Sequence, residues 1–369
     1  MRICLIYDCL FPHTVGGAER WYRNLALRLR AEGHDVTYLT LRQWGAEGPD
    51  LPGVAVVAAG PRMALYSGPG QRRILPPLVF GLGVLWHLLR QGRRYDVVHT
   101  ASFPYFSVLA AAAARPLGRF RLVVDWHELW TREYWREYLG RAGEAGWAVQ
   151  RLCMSVPQRA FCFARLTAER LSAGGVEATV LEGEYAGPLT PAPPRPSDGT
   201  VVFAGRHIPE KRAPAVVAAA AAAGVPAIVF GDGPERAKVL AEIARTGAAV
   251  EAPGFVPAGE VEAALSRALC MLLPSRREGY GLVVVEAAAA GVPSIVVRGP
   301  DNAAVELVED GVNGFVAPSA SPQDLAAAIV RVQAAGPALR ESTRAWFAAN
   351  ARRLSLDASL DVVAAAYRV

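Results

Sequence analysis

Cysteine is scarce in this chain, and none of it is spaced to bind zinc. The 369 residues include only five cysteines, Cys4, Cys9, Cys153, Cys162 and Cys270, and no C-x-x-C pair occurs among them. An odd number without such a pair argues against both a disulfide framework and a structural zinc site. We therefore expect a protein of a reducing compartment, the cytoplasm.

Long apolar runs are missing as well. The longest, residues 74–89, opens at a Pro-Pro pair and contains His87, and it falls short of the roughly 20 residues that a membrane-spanning helix needs. We expect a packed helix there, with shallow membrane contact as the alternative. At the N-terminus Asp8 interrupts the apolar stretch, which fits a first buried strand better than a signal peptide.

Acidic residues are few in the first half. Residues 1–183 hold 22 basic and 15 acidic side chains, a net charge of +7, whereas the remainder holds 17 and 19, a net charge of −2. A solvated basic surface would explain this, and attraction to an anionic acceptor or an anionic membrane is the functional alternative. No basic run is interleaved with aromatic residues and no nucleic-acid motif occurs, so we expect no nucleic-acid partner.

Two ligand-binding motifs do not occur either. Without a D-x-D sequence, a metal held by paired aspartates is not supported, and we expect neither a metal nor a cofactor. No G-x-G-x-x-G follows the first predicted strand, which sets aside a dinucleotide-binding dehydrogenase.

What is present is an alternation of strand and helix patterns along both halves of a chain that is 52% hydrophobic and 20% charged. This alternation predicts parallel sheets covered by helices on both faces. Residues 184–199 interrupt it with five prolines and two glycines, a composition typical of a semi-rigid linker. We therefore predict an N-terminal domain over residues 1–183, this linker, a second domain over residues 200–354 and a final helix over residues 355–369.

The most informative segment is residues 274–286, in which Glu278 and Glu286 flank a Gly-Tyr-Gly turn. The apolar run before it predicts a buried strand and the residues after Gly281 predict a helix. A helix that starts at the carboxyl end of a strand offers backbone N–H groups to an anion. Carboxylates beside an anion site suit the hydroxyls of a ribose or a hexose. A pocket that binds both a phosphate and a polyol suggests that the ligand is a sugar nucleotide.

This segment resembles the E-x7-E signature of the retaining glycosyltransferases of family 4, which have the GT-B fold. Three other segments resemble the family's glycine loop, its G-R-x-x-x-x-K phosphate segment and its G-D-G-P-E turn, in the same order. They lie at residues 15–20, 203–212 and 230–235. The resemblance covers nearly the whole chain. It implies an α/β fold with two Rossmann-like, doubly wound domains that face each other across a cleft, and a final helix that crosses back to the first domain.

The resemblance also implies roles for individual residues in the second domain. Arg206 and Lys211 would stabilise the negative charge that develops on the leaving β-phosphate. Glu278 would contact the donor sugar, and Glu286 would bind the ribose hydroxyls. The remaining expected donor-binding residues are Gly16, Gly17, Gly231, Asp232, Gly233, Phe255, Gly279, Tyr280, Gly281 and Leu282.

In the first domain, His127 follows a predicted strand at a position where the family often carries a histidine near the donor sugar. A neutral imidazole there could bind a sugar hydroxyl or orient the acceptor, without acting as a base in the front-face mechanism proposed for the family. His99, at the end of another predicted strand, is the alternative candidate for this role. Trp126 and Trp130 could form an acceptor platform or could simply pack in the core.

The expected function is that of a retaining, metal-independent hexosyltransferase, which moves a sugar from a UDP- or GDP-sugar to a hydroxyl of a glycan, lipid-linked or small-molecule acceptor. The alternatives are a sugar-nucleotide epimerase of GT-B-like fold and a non-catalytic nucleotide-sugar-binding protein. The basic first half favours a lipid-linked or anionic acceptor and leaves open peripheral contact with the inner face of the membrane.

Overall fold

A computed structural model describes residues 1–65 and 73–368, which divide into two compact units. The first consists of residues 1–65, 73–181 and 359–368, and the second of Glu182–Ala358. The N-terminal part of the first unit ends at Leu181, beside the predicted domain end at residue 183.

Seven parallel strands form the sheet in the described part of the first unit. They are β1 (Arg2–Ile6), β2 (Asp35–Thr40), β3 (Ala55–Ala58), β4 (Val97–Ala101), β5 (Arg121–Trp126), β6 (Arg159–Cys162) and β7 (Ala178–Val180). Their order is β3-β2-β1-β4-β5-β6-β7. Strand β1 is buried from its second residue onward and β4 is buried along its whole length, because helices cover both faces of a parallel sheet.

Helices lie between most successive strands of this unit. They are α1 (Gly17–Ala31), α2 (Leu75–Gln91), α3 (Phe106–Gly118), α4 (Arg132–Leu139), α5 (Gly143–Ser155) and α6 (Arg165–Ala173). The core between sheet and helices includes Phe80, Val84 and Leu88 of α2 together with Val98 and Val124 of the sheet. No helix in residues 1–65 or 73–368 combines the length and the apolar character needed to cross a membrane.

The second unit repeats the pattern. Its strands are β8 (Val201–Ala204), β9 (Ala227–Phe230), β10 (Val250–Gly254), β11 (Cys270–Leu273), β12 (Arg277–Glu278), β13 (Ser294–Val297), β14 (Asp301–Asn302) and β15 (Gly314–Ala317). Six of them form a parallel sheet in the order β10-β9-β8-β11-β13-β15, and β12 pairs with β14 beside it. Its helices are α7 (Ala213–Ala223), α8 (Arg236–Thr246), α9 (Ala258–Arg267), α10 (Leu282–Ala289) and α11 (Pro322–Asn350).

Both strand orders are those of the doubly wound α/β fold, in which the chain starts in the middle of the sheet and winds outward in both directions. The prediction of two doubly wound parallel sheets is therefore confirmed. Residues 186–199 form no strand or helix, since their prolines lack the backbone N–H that both require.

A last helix, α12 (Leu356–Ala366), brings the end of the chain to the first unit, to which residues from Ser359 onward belong. Asp361 forms an ion pair with Arg28 of α1 at 2.5 Å, and the buried Tyr367 contacts Nδ1 of His99 through its hydroxyl. Of the predicted final helix over residues 355–369, residue 369 lies outside the described residues.

Candidate active site

The sheet of the second unit brings three predicted segments to one edge. Strands β9, β8 and β11 are neighbours and run parallel, so the loops at their carboxyl ends lie side by side. These loops contain residues 231–235, 205–212 and 274–281. The strand order reverses between β8 and β11, which is where open α/β sheets bind ligands.

An ion pair joins the two loops on either side of this reversal. Lys211 Nζ lies 2.5 Å from Glu278 Oε1, with the lysine side chain 23% exposed and the glutamate side chain 8% exposed. The backbone joins the same loops, because the N–H of Arg276 donates to the carbonyl of Glu210 at 2.8 Å. The structure thus brings together two residues that are 67 positions apart in the chain and that were both predicted to be catalytic.

Positive charge is concentrated on these two loops. Arg206 is exposed on the same loop as Lys211, and Arg212 begins the next helix with a half-buried side chain. Burial, and then the nearby charge of Arg276, lowers the pKa of Arg212. An anion bound beside these side chains would relieve the repulsion between them.

Two glycines let the G-D-G-P-E turn approach the β8 loop closely. Gly231 has φ +114°, and a Cβ there would lie 1.9 Å from the carbonyl oxygen of Gly205. Gly233 has φ +148°, and a Cβ there would lie 2.7 Å from the carbonyl oxygen of His207. Only glycine therefore fits at both positions.

We expect Gly231→Ala to distort the β8 loop and to weaken nucleotide binding, because the obstacle to its Cβ is backbone and cannot rotate away. The expected cost in free energy of unfolding is about 1–3 kcal/mol for the left-handed backbone alone. Urea denaturation and a nucleotide titration of the variant would measure both effects. Gly247→Ala is the matched control, since Gly247 has φ +62° with nothing near its Cβ; equal losses in the two variants would mean that the close approach to Gly205 has no importance.

The N-terminus of α10 presents its backbone at the same edge. Gly281 precedes it with φ +104°, and a Cβ there would lie 2.7 Å from Cβ of Ala304. Glu286 lies one turn into the helix and is half-buried. Burial, and then the charge of Glu286, raises the pKa of Tyr185, which places these two side chains close together.

The other predicted donor-binding residues differ in which of their groups are exposed to a donor. Tyr280 is buried and its hydroxyl donates to the carbonyl of Glu182 at 2.7 Å, so its side chain is fixed and its backbone alone is available. Phe255 is 75% exposed after β10. Asp232 is exposed and its Oδ1 accepts from the N–H of Gly233 at 2.7 Å, which holds the turn. Gly279 and Leu282 lie half-buried on either side of the helix start.

Sequence reasoning missed Asn302, which is fully buried beside Glu278. Its side-chain nitrogen donates to the carbonyls of Ser275 and Val297, at 3.1 and 2.8 Å, and its oxygen accepts from the N–H of Ala304. It also pairs with Glu278 in the short β12–β14 ladder. Asn302 therefore fixes the loop that carries Glu278. An asparagine after an apolar strand gives no sequence signal that distinguishes it from an ordinary turn residue.

In the first unit, Gly16 and Gly17 begin α1 after β1, and His127 directly follows β5. The ring of His127 stacks on Phe163 at 4.6 Å between centroids. Its Nε2 is buried with no hydrogen-bond partner among the described residues. Burial lowers the pKa of His127, which favours the neutral imidazole at neutral pH, the form the sequence analysis expected there.

His99 and Trp126 cannot contact an acceptor as predicted. Both are fully buried: His99 Nε2 lies 2.7 Å from Oδ1 of Asp125 while Nδ1 contacts Tyr367, and the indole N–H of Trp126 donates to Gln158 at 2.9 Å. Trp130 is half-buried and stacks on Phe103 with 5.7 Å between ring centroids. Of the three acceptor residues proposed from the sequence, it alone retains some exposure.

Two protein-family models match this chain, one in each of its two units. Residues 15–182 match the family model described as Glycosyltransferase Family 4, and residues 192–353 match the one described as Glycosyl transferases group 1. Glycogen synthase of Mycobacterium tuberculosis is 28% identical, over 90% of this chain and 85% of the relative. Three other curated relatives are 31–37% identical, but the chain covers only 15%, 26% and 40% of their length.

Solved structures show the same fold over the whole chain. Sucrose-phosphate synthase from Thermosynechococcus elongatus matches with a TM-score of 0.81 at 19% identity, covering 100% of this chain and 98% of that one. The Anabaena protein HepE, solved in complex with UDP-glucose, matches with a TM-score of 0.73 at 19% identity, covering 100% and 99%.

The fold is therefore GT-B, as predicted. The two family models, with this fold, support the assignment of the chain to the GT-B glycosyltransferases of the family 4 type.

Proposed function

We propose that this protein is a retaining, metal-independent hexosyltransferase that uses a UDP- or GDP-sugar as its donor. The observation that carries the proposal is the pair of Lys211 and Glu278 at the reversal of strand order in the second unit, where a cation and a carboxylate are held 2.5 Å apart. A nucleotide sugar requires both kinds of group, one for its diphosphate and one for its hydroxyls. That HepE binds UDP-glucose supports this donor class.

In the proposed reaction the bond between the sugar and the β-phosphate breaks, and negative charge grows on the leaving diphosphate. Arg206 and Lys211 would stabilise that charge more in the transition state than in the ground state. The N-terminus of α10 would add its backbone N–H groups. Glu278 would hold the sugar, Glu286 would bind the ribose, and His127, which is half-buried after β5, would bind a sugar hydroxyl.

The donor is identified by thermal shifts of the whole chain with UDP, GDP, ADP, TDP and their common sugar conjugates, in buffer that contains EDTA. A ligand at about a hundred times its dissociation constant should stabilise the protein by roughly 2.7 kcal/mol. A shift with one nucleotide supports the donor site and its independence of metal. A shift that appears only after Mg²⁺ or Mn²⁺ is added would contradict the metal-free proposal, and no shift at all would contradict the donor site.

Retention is tested on the product. With the donor identified, the anomeric configuration of the new glycosidic bond is expected to equal that of the donor, as read from the anomeric proton coupling by NMR. Inversion would overturn this part of the proposal. Release of an epimerised sugar without any acceptor would favour the epimerase alternative instead.

We propose a hydroxyl of a glycan, a lipid-linked sugar or a small molecule as the acceptor, with an anionic or lipid-linked one favoured by the +7 charge of residues 1–183. We further propose that the protein works in the cytoplasm. Both follow from charge and cysteine content.

A further inference from the structure

Helix α2 exposes a continuous row of large apolar side chains. At about 100° per residue, the five side chains of this row fall within an arc of about 80°. They are Leu75, Leu78, Leu82, Trp86 and Leu89, with Leu82 68% and Trp86 58% exposed. We call them the outer face of α2.

The opposite side of the same helix is fully packed. Phe80, Val84 and Leu88 are buried against the core of the first unit. A helix that is apolar on all sides is normally buried on all sides. In α2 only one side is covered, and a contiguous exposed apolar surface of this kind marks an interaction site.

A further exposed leucine lies near the end of α2. Leu117, at the end of α3, is 55% exposed, and its carbonyl accepts a hydrogen bond from Nε of Arg93, which lies just after α2.

The segment of the chain that carries this surface is almost entirely basic in its charged residues. Residues 51–124 contain nine arginines and a single acidic residue, Asp96. That carboxylate is already engaged, since it accepts from the backbone N–H of Arg2 at 2.7 Å and pairs with the guanidinium of Arg2 at 3.3 Å. The arginines that are exposed near the ends of α2 and α3 are Arg73, Arg90, Arg93, Arg94 and Arg119.

One of these arginines is coupled to the outer face itself. The guanidinium of Arg90 lies 3.6 Å from the ring centroid of Trp86, one helical turn away. Tryptophan and arginine side by side suit the headgroup region of a bilayer, where an amphipathic ring and a cation that binds phosphate are both stabilised.

We propose that the outer face of α2 docks onto an anionic lipid surface, with the helix lying in the plane of the interface. Acyl chains would cover the leucines, and lipid phosphates would neutralise the flanking arginines. A second copy of the chain fits less well, because it would bring arginines against arginines. The proposal does not depend on the transfer reaction, so its test needs neither donor nor acceptor.

The test is sedimentation of the full chain with vesicles of phosphatidylcholine alone and of phosphatidylcholine mixed with phosphatidylglycerol. We expect binding to the mixed vesicles that weakens as salt is raised, and much weaker binding to neutral ones. In the double variant Leu82→Ser/Trp86→Ser, binding should fall by more than about tenfold, since two large apolar groups no longer enter the interface. In Arg90→Gln, binding to the anionic vesicles should fall about fivefold.

The matched control is Leu152→Ser/Leu240→Ser, which removes two leucines that are 55% and 47% exposed on α5 and α8. It should bind like the parent, and circular dichroism should show all variants folded. Failure of the parent to bind anionic vesicles, or an equal loss in the control, would overturn the proposal. A parent that is dimeric in solution, becomes monomeric in Leu82→Ser/Trp86→Ser and ignores vesicles would identify the surface as an interface between copies.

Discussion

Replacing Arg206 by alanine is expected to lower kcat about 10²–10³-fold while the protein stays folded. The loss of a single preorganised group that stabilises developing charge has this magnitude in other enzymes. Arg206 is exposed on the β8 loop, so its removal leaves the core intact. Because the charge it would bind grows only as the bond breaks, the loss should appear in kcat more than in KM.

The measurement is transfer from the donor found by thermal shift, with initial rates at several donor concentrations. Arg267→Ala is the control, since Arg267 is also an exposed arginine of the second unit and pairs with Asp198 at 3.8 Å. A folded Arg206→Ala protein that transfers sugar as fast as the parent would refute the proposed role of the β8 loop.

Lys211 requires a different design, since it contacts Glu278. Lys211→Met would leave a nearly buried carboxylate without its cation, which destabilises a protein by about 3–5 kcal/mol. The double variant Lys211→Met/Glu278→Gln should recover part of that stability but no activity. Recovery of both would mean that the pair serves folding alone.

The sequence predicted the buried strands of the second unit most accurately. The sequence predicts strands over residues 227–230, 270–273 and 294–297, and these are the observed limits of β9, β11 and β13. Each is a short apolar run that ends at a turn residue, and a strand buried on both faces of a parallel sheet requires such a run.

Elements with weaker patterns were not predicted. No element was assigned to residues 131–181, which form α4, α5, β6, α6 and β7. Strand β7 has three half-buried residues and α4 has eight with only two buried, so neither has a long apolar period. Such elements are stabilised by their tertiary neighbours more than by their own sequence.

Errors of one or two residues at strand ends misplaced two side chains of the candidate site. The sequence predicts strands over residues 96–99 and 122–125, which would place His99 at the end of one strand and Trp126 just after the other. In the structure β4 continues to Ala101, and Trp126 is the last residue of β5. Both side chains therefore lie inside the sheet and are buried. The contact of Lys211 with Glu278 and the role of Asn302 depend on loop geometry, which no local pattern encodes.

The burial of His99 leads to a large expected effect on stability at Asp125. This fully buried carboxylate lies 2.7 Å from His99 Nε2 and accepts the indole N–H of Trp21 at 2.7 Å. Asp125→Ala would leave both of those groups unpartnered inside the core. We expect a loss of about 3–5 kcal/mol in the free energy of unfolding, measured by urea denaturation. Seven of the eight tryptophans belong to the first unit, so tryptophan fluorescence reports mainly on the unit that contains Asp125.

The pH dependence gives this prediction a second, independent readout. Burial raises the pKa of Asp125, but His99 and the hydrogen bond from Trp21 outweigh it, so the net pKa is lowered. A carboxylate with a lower pKa in the folded state stabilises that state above its unfolded pKa of about 3.9, and this stability is lost as the pH falls through the folded value. The parent should therefore lose stability below about pH 4, and Asp125→Ala should lose less over the same range.

The control variant is Asp361→Ala, which removes an exposed carboxylate that is paired with Arg28. It should lower the free energy of unfolding by no more than about 1 kcal/mol. If Asp125→Ala unfolds at the same urea concentration as Asp361→Ala, the buried network does not stabilise the first unit.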